Sequence, residues 1–477
     1  MRPVFFGGAT KLLSNQHSLL VDSHAHLDGQ RFADDLDETI SRATANGINH
    51  ILTIGCDLES SESSVAIAEK YEHIFAAVGV HPHDATEINT ETLKRLAAML
   101  AHPKVVALGE IGLDFFRDRS PRETQRNAFR KQIQLALEVG KPIIVHDRDA
   151  HDEVIQILKE EGAATVGGVL HCFSGDLAMA EQCLELGFYL SFTGTITYPK
   201  NQEIRDIVKA VPIDRMLVET DCPYLSPQKF RGKRNEPAYV RYTAEKMAEI
   251  KELTIEDIAR VTSRNCYNLF GFGPGPIDQN NKVVYQIRNS LYLNITNRCT
   301  NSCIFCAKFK DFVVKGHELQ LDHEPSVTEI KQEIGDPTQY DEIVFCGYGE
   351  PLLRLDIIKD VSRWLKDQGC KVRINSDGQA NLVHGRNILP ELAGLIDAIS
   401  ISLNAADMDN YLKLCRSPFG AQQSYQAVKD FILQACEYIP EVTATAVTYP
   451  GIDISACELL AKELGVKFKA RDYNKVG

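Results

Sequence analysis

The sequence predicts an α/β protein made of two consecutive barrels, a closed N-terminal (β/α)8 barrel of the TIM type and a partial C-terminal (β/α)6 barrel. Its 477 residues exceed one ordinary domain. Short β-branched runs alternate with amphipathic helical stretches, first between Leu19 and about Leu269 and again after a segment rich in glycine and proline. With 44% hydrophobic and 25% charged residues, the composition excludes disordered, collagen-like and disulfide-scaffold chains.

Eight predicted strands over roughly 250 residues are typical of a closed parallel barrel. They are Leu19–Ser23, His50–Gly55, Ile74–Gly79, Val105–Gly109, Pro142–His146, Gly168–His171, Phe188–Thr193 and Met216–Thr220. Helix-like segments between them include Asp35–Asn46, Thr90–Ala101, Gln125–Val139 and Ala178–Leu186. A doubly wound open sheet would give a similar alternation, but the motifs described below favour the barrel.

Six further predicted strands fit a partial barrel. They are Leu291–Thr296, Glu342–Cys346, Lys371–Asn375, Ala398–Leu403, Val442–Val447 and Lys467–Ala470, with helical segments such as Ile357–Gln368 and Tyr425–Tyr438 between them. The run GFGPGPIDQN, from Gly271, has no hydrophobic periodicity and predicts a linker. We therefore expect an N-terminal extension at residues 1–18, a first domain at 19–270, a linker at 271–284 and a second domain at 285–477.

Charge and cysteine content restrict the location and the mode of binding. No stretch approaches the ~18 apolar residues of a membrane span, and Met1 to Ser18 do not resemble a signal peptide. We expect a cytoplasmic protein whose 13 cysteines are ligands or small core residues. A formal net charge of −13 argues against coating nucleic acid through a broad basic surface, but a local basic cleft stays compatible with it.

Four histidines and two carboxylates fall at or just after the ends of predicted strands. Their positions are His24, His26, Glu110, His146, His171 and Asp221. In a parallel barrel all these ends face one mouth, so we expect two divalent ions there, with Glu110 as the bridging carboxylate. Two ions ~3.5–4 Å apart activate a water and neutralise charge, which suits phosphodiester hydrolysis. Any one of these residues could be an ordinary core residue, but chance would scatter six over both ends of the barrel.

Residues Val21 to Phe270 resemble the TatD family of metal-dependent deoxyribonucleases. The matching motifs are DSHAHLD, GVHPH, GEIGLD, RETQ, HDRDA, HCFSG, ETDCPYL and RGKRNEP. The resemblance implies metal ligands, with Mg, Mn or Zn as the ions, at His24, His26, Glu110, His146, His171 and Asp221. It also implies catalytic roles for Glu110, Asp221, Glu219 beside the metals and His81 near the scissile phosphate.

Basic residues near the predicted mouth are candidates for contact with a nucleic acid or nucleotide substrate. Arg148 follows a ligand strand, and the loop after the eighth strand carries a cluster, namely Lys229, Arg231, Lys233 and Arg234. Arginine pairs well with phosphate, so we expect Arg148, Arg231 and Lys233 to bind substrate, although a solvated loop is the alternative. Phe115 and Phe116 could stack on bases or pack in the core. Amide or ester hydrolysis is the alternative activity.

Cys299, Cys303 and Cys306 form a C-x3-C-x2-C array after the first strand of the second set. Iron–sulfur clusters usually take four thiolates, so three in one loop leave an iron position open for S-adenosylmethionine (SAM). The alternative is a zinc site that borrows His317 or His323 as its fourth ligand.

Residues from about Ser290 onward resemble the radical SAM superfamily, for which this cysteine spacing is diagnostic. The resemblance implies a [4Fe–4S] cluster, bound SAM and an electron donor such as flavodoxin or ferredoxin. It places cofactor contacts at Phe305, Gly347, Gly349, Glu350, Asn375, Ser402 and Asn404. Tyr348 interrupts the usual pair of glycines in CGYGEPLLR.

The sequence thus predicts a bifunctional enzyme, a metallonuclease joined to a radical SAM domain. A second hypothesis is that one half is a binding module, for zinc or nucleic acid. A third hypothesis is that both halves act on one substrate. Among the other cysteines, we expect Cys415 in a polar loop and Cys56, Cys183 and Cys266 in the core. No residue pattern names the substrate of the radical domain.

Overall fold

The computed structural model describes residues 20–273, 282–309, 312–471 and 473. The predicted extension at 1–18 and most of the predicted linker lie outside the described residues. The chain divides into two compact units, one with residues 20–209, 216–247 and 266–273, the other with 210–215, 248–265 and the described residues from 282 onward. The predicted domain boundaries stay a prediction. No helix in the described ranges is both long and apolar enough to cross a bilayer.

Eight parallel strands form the first sheet in sequence order. Their bounds are β1 Leu20–Ala25, β2 Ile48–Ile54, β3 Ile74–Val78, β4 Val105–Asp114, β5 Ile143–Arg148, β6 Gly168–Leu170, β7 Tyr189–Phe192 and β8 Met216–Val218. The first and last strands meet at the carboxyl end, where the Asp221 amide donates to the His24 carbonyl at 2.9 Å and the His26 amide donates to the Cys222 carbonyl at 2.8 Å. The predicted eight-stranded barrel is confirmed.

Helices alternate with these strands. The first nine are α1 Leu36–Ala45, α2 Leu58–Lys70, α3 Thr90–Leu100, α4 Arg122–Val139, α5 His151–Glu160, α6 Leu177–Glu185, α7 Gln202–Ala210, α8 Val240–Lys251 and α9 Ile255–Phe270. Local sequence fixes several of their ends. Asp57 and Ser60 form a capping box at the start of α2, and Gly140 ends α4 in the left-handed conformation.

Strand β4 is buried along its whole length, as expected for a parallel strand that is covered on both faces. It extends to Asp114, five residues beyond the predicted end. Glu110 therefore lies inside the strand, and the expectation that it follows the strand is wrong. This position holds the carboxylate on rigid backbone near the centre of the mouth.

The second sheet contains six parallel strands and one antiparallel strand in the order β17-β16-β15-β14-β13-β10-β9. Their bounds are β9 Val284–Ile287, β10 Ser290–Leu293, β13 Glu342–Phe345, β14 Val372–Ser376, β15 Ala398–Ser402, β16 Glu441–Val447 and β17 Lys467–Arg471. A separate hairpin pairs β11 Val313–Val314 with β12 His317–Glu318. The predicted α/β fold of this half is confirmed, but the sequence missed β9, which begins inside the predicted linker, and the hairpin.

Alternation along the second sheet separates an apolar face from a polar face. Leu293, Phe345 and Ile374 belong to the hydrophobic core, together with residues of the remaining helices. These are α10 Val327–Ile334, α11 Leu355–Asp367, α12 Ala380–His384, α13 Met408–Cys415, α14 Ala421–Tyr438 and α15 Ile454–Glu463. The other face carries the Glu342–Arg373 ion pair at 2.8 Å. Since side chains alternate along a strand, this polar face is the one open to a ligand.

The close approach of β4 to β5 depends on Gly112, whose φ is +147°. A methyl group at this position would overlap the carbonyl oxygen of His146, which is sheet backbone and cannot rotate away. We predict that Gly112→Ala lowers the free energy of unfolding by about 3–5 kcal/mol, from the sum of overpacking and backbone strain. Urea denaturation of the full chain measures the change.

Gly140→Ala is the matched control, because Gly140 is also left-handed (φ +66°) but has no atom within 4 Å of an added methyl. Only the conformational penalty of about 1–2 kcal/mol applies there. Equal losses in the two variants would contradict the proposed overlap with β5.

Candidate metal centre and cysteine loop

The carboxylate of Glu110 lies between two groups of histidines at the mouth of the first barrel. Its Oε2 atom is 3.4 Å from His24 Nε2 and 3.8 Å from His26 Nε2. Its Oε1 atom is 2.6 Å from His146 Nδ1 and 2.7 Å from His171 Nε2. Each oxygen thus faces its own set of nitrogen atoms, which is the arrangement a bridging carboxylate requires.

Asp221 completes the first of these two sets. Its Oδ1 atom is 3.2 Å from His26 Nε2 and 3.7 Å from His24 Nε2, and the two ring nitrogens are 3.3 Å apart. His24 lies in β1 and His26 directly follows it, and the short distance between their Nε2 atoms places both rings at the same point of the mouth. His81 borders the other set, with Nε2 at 3.6 Å from Glu110 Oε1 and 3.3 Å from His146 Nδ1.

The donor atoms fit divalent ions. Two ligands on one ion, each at about 2.0–2.2 Å, lie roughly 3–3.5 Å apart. The donors of His24, His26 and Asp221 lie 3.2–3.7 Å apart, and His146 Nδ1 lies 3.4 Å from His171 Nε2. Glu110 Oε1 is closer to the latter two rings, at hydrogen-bond distance. The His24 side chain is fully buried and that of Glu110 is only 4% exposed. Buried polar clusters of this kind need a compensating charge, because burying unpaired ionised groups is costly. Imidazole and carboxylate donors suit Zn, Mn or Fe, and availability decides between them.

The electrostatics follow from this crowding. Burial raises the pKa of Glu110, but the charges of His171 and His81 and the hydrogen bonds of the histidines outweigh burial and hold it well below its usual range. Burial lowers the pKa of His171, but Glu110 and Glu219 raise it well above the ordinary value. Burial, together with the charge of His171, lowers the pKa of His24. The carboxylate of Glu110 therefore pairs with the His171 ring, and a bound cation would take the place of the histidine protons.

Two further carboxylates orient the histidines. Asp114 Oδ2 is 2.9 Å from His83 Nε2 and 3.4 Å from His146 Nε2. Glu219 Oε1 is 3.4 Å from His171 Nδ1 and accepts the Cys172 amide at 2.7 Å. Such outer contacts fix which ring nitrogen faces the centre. The sequence singled out Glu219 but missed Asp114, whose only signal was its place at the end of GEIGLD.

Cys56 also belongs to this centre. Its Sγ atom is 3.7 Å from His26 Nδ1, and its sulfur, a His26 nitrogen and a Glu110 oxygen lie within 4.8 Å of one another. The expectation that Cys56 is a core residue is wrong, because the loop after β2 turns toward the mouth. Cys183 and Cys266 are fully buried, as expected.

The three cysteines of the second site lie in the loop after β10. Their sulfur atoms do not all lie within 4.8 Å of one another in the part of the chain that the structure describes. Thiolates on a single zinc ion, at about 2.3 Å each, would be about 3.8 Å apart. The three sulfurs are therefore not placed as three ligands of a single zinc ion.

The two histidines proposed as zinc ligands have other contacts. His317 Nε2 is 2.9 Å from the Gln286 carbonyl oxygen, and burial lowers the pKa of this imidazole to about 2. His323 Nε2 is 3.0 Å from Glu329 Oε1. Within the described ranges, neither joins a candidate metal group with the cysteines.

Asp377 anchors the cysteine loop, and sequence reasoning missed it. Its carboxylate accepts a short hydrogen bond from the Thr300 hydroxyl, and its Oδ2 atom is 4.0 Å from Cys299 Sγ. The neighbouring Glu350 is buried and accepts hydrogen bonds from the amides of Asp377, at 2.6 Å, and Leu352, at 3.0 Å. Burial and the charge of Asp377 raise the pKa of Glu350 well above its usual range. Glu350 thus links two loops, and a direct contact with SAM stays a prediction.

The two predicted glycines have a clear steric role. A methyl group on Gly347 would overlap the Asn294 side chain, and one on Gly349 would overlap the carbonyl oxygens of Thr296 and Arg298. Both glycines therefore let the loop after β13 pack against the chain that leads to the cysteines. The intervening Tyr348 does not disturb this, since its hydroxyl bonds the Val313 carbonyl.

The remaining predicted cofactor contacts lie at the strand ends of the second sheet. Asn375 Nδ2 is 3.2 Å from Cys346 Sγ, and Ser402 Oγ accepts from Arg471 at 3.2 Å. Phe305 packs half-buried against Tyr449, with ring centroids 5.8 Å apart. Asn404 is buried, and its Oδ1 atom has no hydrogen-bond partner among the described residues. Their contact with SAM stays a prediction.

Cys415 does not lie in a polar loop as expected. It is the fully buried last residue of α13, and the Asn404 side-chain amide donates to its sulfur at 3.7 Å. The amides of Ser302 and Ile304 donate to the carbonyls of Cys415 and Leu414. These two hydrogen bonds attach the cysteine loop to the end of α13.

Comparisons with known proteins identify both halves. Residues 21–271, more than half of the chain, match the model of the family described as TatD related DNase. The chain belongs to this family. Residues 293–464 match the model of the radical SAM superfamily.

Individual relatives match the TatD-related half. YabD of Bacillus subtilis (strain 168), described as an uncharacterized metal-dependent hydrolase, is 48% identical over 252 residues, which are 53% of this chain and 99% of that protein. The 3′-5′ ssDNA/RNA exonuclease TatD of Citrobacter rodentium is 35% identical over 257 residues, 53% of this chain and 98% of that protein. In the solved structures, the TatD homologue YjjV of Escherichia coli K12 aligns with a TM-score of 0.51 and 32% identity, covering 54% of this chain and 99% of that one.

The chain is therefore an enzyme with a TatD-type metal-dependent hydrolase domain and a radical SAM domain, and this part of the predicted function is confirmed.

The basic residues predicted to bind substrate at the TatD-related mouth make different contacts. Arg148 and Arg231 make cation–π contacts with Phe116 and Tyr198, at 4.0 and 4.7 Å from the ring centroids. Lys233 is exposed, whereas Arg234 is committed to an ion pair with Asp35 at 2.7 Å.

Proposed function

We propose that the TatD-related barrel hydrolyses phosphodiester bonds of DNA or RNA with two divalent ions. His24, His26 and Asp221 would hold one ion, and His146 and His171 would hold the other. The observation that carries the proposal is the position of Glu110, whose two oxygens face these two sets at 2.6–3.8 Å. The name of the Citrobacter relative, an exonuclease for single-stranded DNA and RNA, supports the substrate class.

Bound ions would lower the pKa of an attacking water and neutralise charge on the phosphate oxygens. The residues of the chain do the rest. Asp221, which is 13% exposed at the rim of the pocket, would accept the proton that the water releases. His81 Nε2, at 3.6 Å from Glu110 Oε1, would donate a hydrogen bond to the scissile phosphate. Glu219 would hold the His171 ring in register.

Amide or ester hydrolysis is the second candidate, because the same ligands could activate water for a carbonyl. Phosphodiester hydrolysis is favoured by Arg148 and Arg231, which have no salt-bridge partner among the described residues and flank the mouth. An uncharged amide or ester cannot form an ion pair with these guanidinium groups, whereas a phosphate group can form bidentate, charge-assisted hydrogen bonds with them.

We predict that His146→Ala lowers metal-dependent hydrolysis of single-stranded DNA at least about a hundredfold, because it removes a donor that faces Glu110. Gel electrophoresis of the cleavage products formed with added Mn²⁺ measures the activity, and inductively coupled plasma mass spectrometry measures the bound metal. His102→Ala is the control, since His102 is partly exposed and its contacts are with Glu69 and the Lys104 amide rather than with the metal centre. Full activity of the His146 variant would refute the assignment.

We propose that Cys299, Cys303 and Cys306 hold a [4Fe–4S] cluster whose fourth iron binds SAM. The match of residues 293–464 to the radical SAM superfamily supports a cluster, and the three sulfurs are not placed as ligands of one zinc ion. Contacts with Asp377 and α13 hold the loop in place. Bound SAM would supply a 5′-deoxyadenosyl radical after one-electron reduction. The chain would bind and orient SAM at the polar strand ends that include Asn375 and Ser402.

Anaerobic reconstitution tests this proposal. We predict about four irons and four sulfides per chain, and SAM cleavage to 5′-deoxyadenosine when a reductant is added. Cys303→Ala should lose both the cluster and the cleavage, whereas Cys457→Ala, which alters a buried cysteine of α15, should retain them. A colourless protein with tightly bound zinc would favour the zinc site instead.

We further propose that a small acidic electron carrier, such as flavodoxin or ferredoxin, docks beside the cysteine loop. A surface hollow of about 390 Å³ there is lined by Ser302, Cys303, Ile304, Phe309 and Arg416. Phe309 is 59% exposed, and the Lys308 ammonium lies 5.2 Å from its ring centroid. An apolar and cationic patch on a chain of net charge −13 is complementary to an acidic partner, and a cysteine of the loop lies directly beneath it.

We predict that Phe309→Ser slows cluster reduction by reduced flavodoxin about fivefold or more, because it removes the apolar centre of the patch. Stopped-flow absorbance measures this rate. Reduction by dithionite, which needs no docking, should stay unchanged, and Leu433→Ser, an exposed leucine of α14, should have no effect. Equal slowing with both reductants would contradict a docking role.

A further inference from the structure

We infer that two exposed aromatic rings, Phe116 and Tyr224, form base-stacking platforms on opposite sides of the TatD-related mouth. Each would hold one base of a single-stranded nucleic acid while the backbone between them crosses the metal centre. The inference deepens the proposed nuclease function and rests on it. It adds the subsites that recognise the bases.

The first platform follows β4. Phe116 is 55% exposed, although large aromatic rings are usually buried. The Arg148 guanidinium lies 4.0 Å from its ring centroid, and Arg117 lies 5.7 Å from it. Because Arg148 ends β5 two residues after His146, this ring and its arginine lie at the same end of the barrel as that ligand.

The second platform follows β8. Tyr224 is 53% exposed, and its ring meets that of His26 edge-on with centroids 6.1 Å apart. Arg31 lies 5.6 Å from the Tyr224 centroid. The side-chain amide of Asn235 donates to the Tyr224 carbonyl at 2.6 Å, which fixes the backbone that carries the ring. This second ring therefore repeats the first arrangement, an exposed aromatic side chain with a guanidinium beside it.

The strand order puts the two platforms across the mouth from each other. In a ring of eight strands in the order β1 to β8, strands β4 and β8 are separated by three strands on either side. Glu110 of β4 and Asp221 after β8 both reach the metal centre between them. A chain lying from one platform to the other must pass over the ligands.

The arginines at the platforms differ from most others in this half. Arg42, Arg126, Arg130 and Arg234 all pair with carboxylates. Arg31 and Arg148 have no salt bridge among the residues that the structure describes, so their guanidinium groups are available to phosphate. An aromatic face with an adjacent cation is the combination that binds single strands without sequence preference. A duplex cannot present its stacked bases to two separate rings.

Binding of an oligothymidylate of about eight nucleotides tests the inference. Fluorescence anisotropy in EDTA, where hydrolysis does not occur, compares this oligomer with a sugar–phosphate chain of equal length without bases. We expect the full-length protein to bind the base-containing chain about tenfold more tightly. Phe116→Leu and Tyr224→Leu should each lose part of this preference and leave the affinity for the base-free chain unchanged.

Conservative and remote variants serve as controls. Tyr224→Phe and Phe116→Tyr keep an aromatic face and should retain the preference, and Leu433→Ala should bind like the unmodified protein. Equal affinity for the two chains, preference for duplex DNA or unchanged preference in both leucine variants would each overturn the inference. Base-dependent binding by a protein that fails to hydrolyse DNA with any metal would sustain the platforms and refute the proposed nuclease activity.

Discussion

The buried carboxylate of Glu110 is the interaction on which the first half depends. One ionised group in the barrel interior faces two histidines through each of its oxygens, and the rest of the site is arranged around it. Burial disfavours its charge, but the histidines outweigh burial and keep its pKa low. Strand β4, buried throughout, gives the carboxylate a fixed position, while Asp114 and Glu219 orient two of the rings from behind.

The sequence predicted the first barrel and the six parallel strands of the second sheet well, because buried parallel strands appear as short β-branched runs. The ligands of the barrel were found because most of them stand at strand ends. The sequence did not predict that β4 continues through Glu110 to Asp114, since the two glycines of GEIGLD are typical of a loop. Asp114 and Cys56 were missed for a related reason. Their partners His146 and His26 lie far away in sequence, so only folding brings them together.

In the second half, the cysteine spacing identified the site but not what supports it. The Thr300–Asp377 hydrogen bond and the bond from the Ser302 amide to the Cys415 carbonyl join segments about 75 to 110 residues apart, which no local pattern reveals. Strand β9 was missed because it is short and begins at the last residue of the predicted linker, a few residues after the run rich in glycine and proline. The steric need for Gly347 and Gly349 likewise became visible only from the chain packed against them.

The contrast between an acidic chain and a few unpaired arginines at one mouth has a consequence for turnover. Affinity for a polyanion grows with the number of phosphates that cations neutralise, and Arg31, Arg148 and Arg231 offer few such contacts. A protein of net charge −13 is repelled by the remaining length of the strand. For the nuclease proposed above we therefore expect release after each cleavage, with brief trimming of many ends rather than processive degradation of one strand.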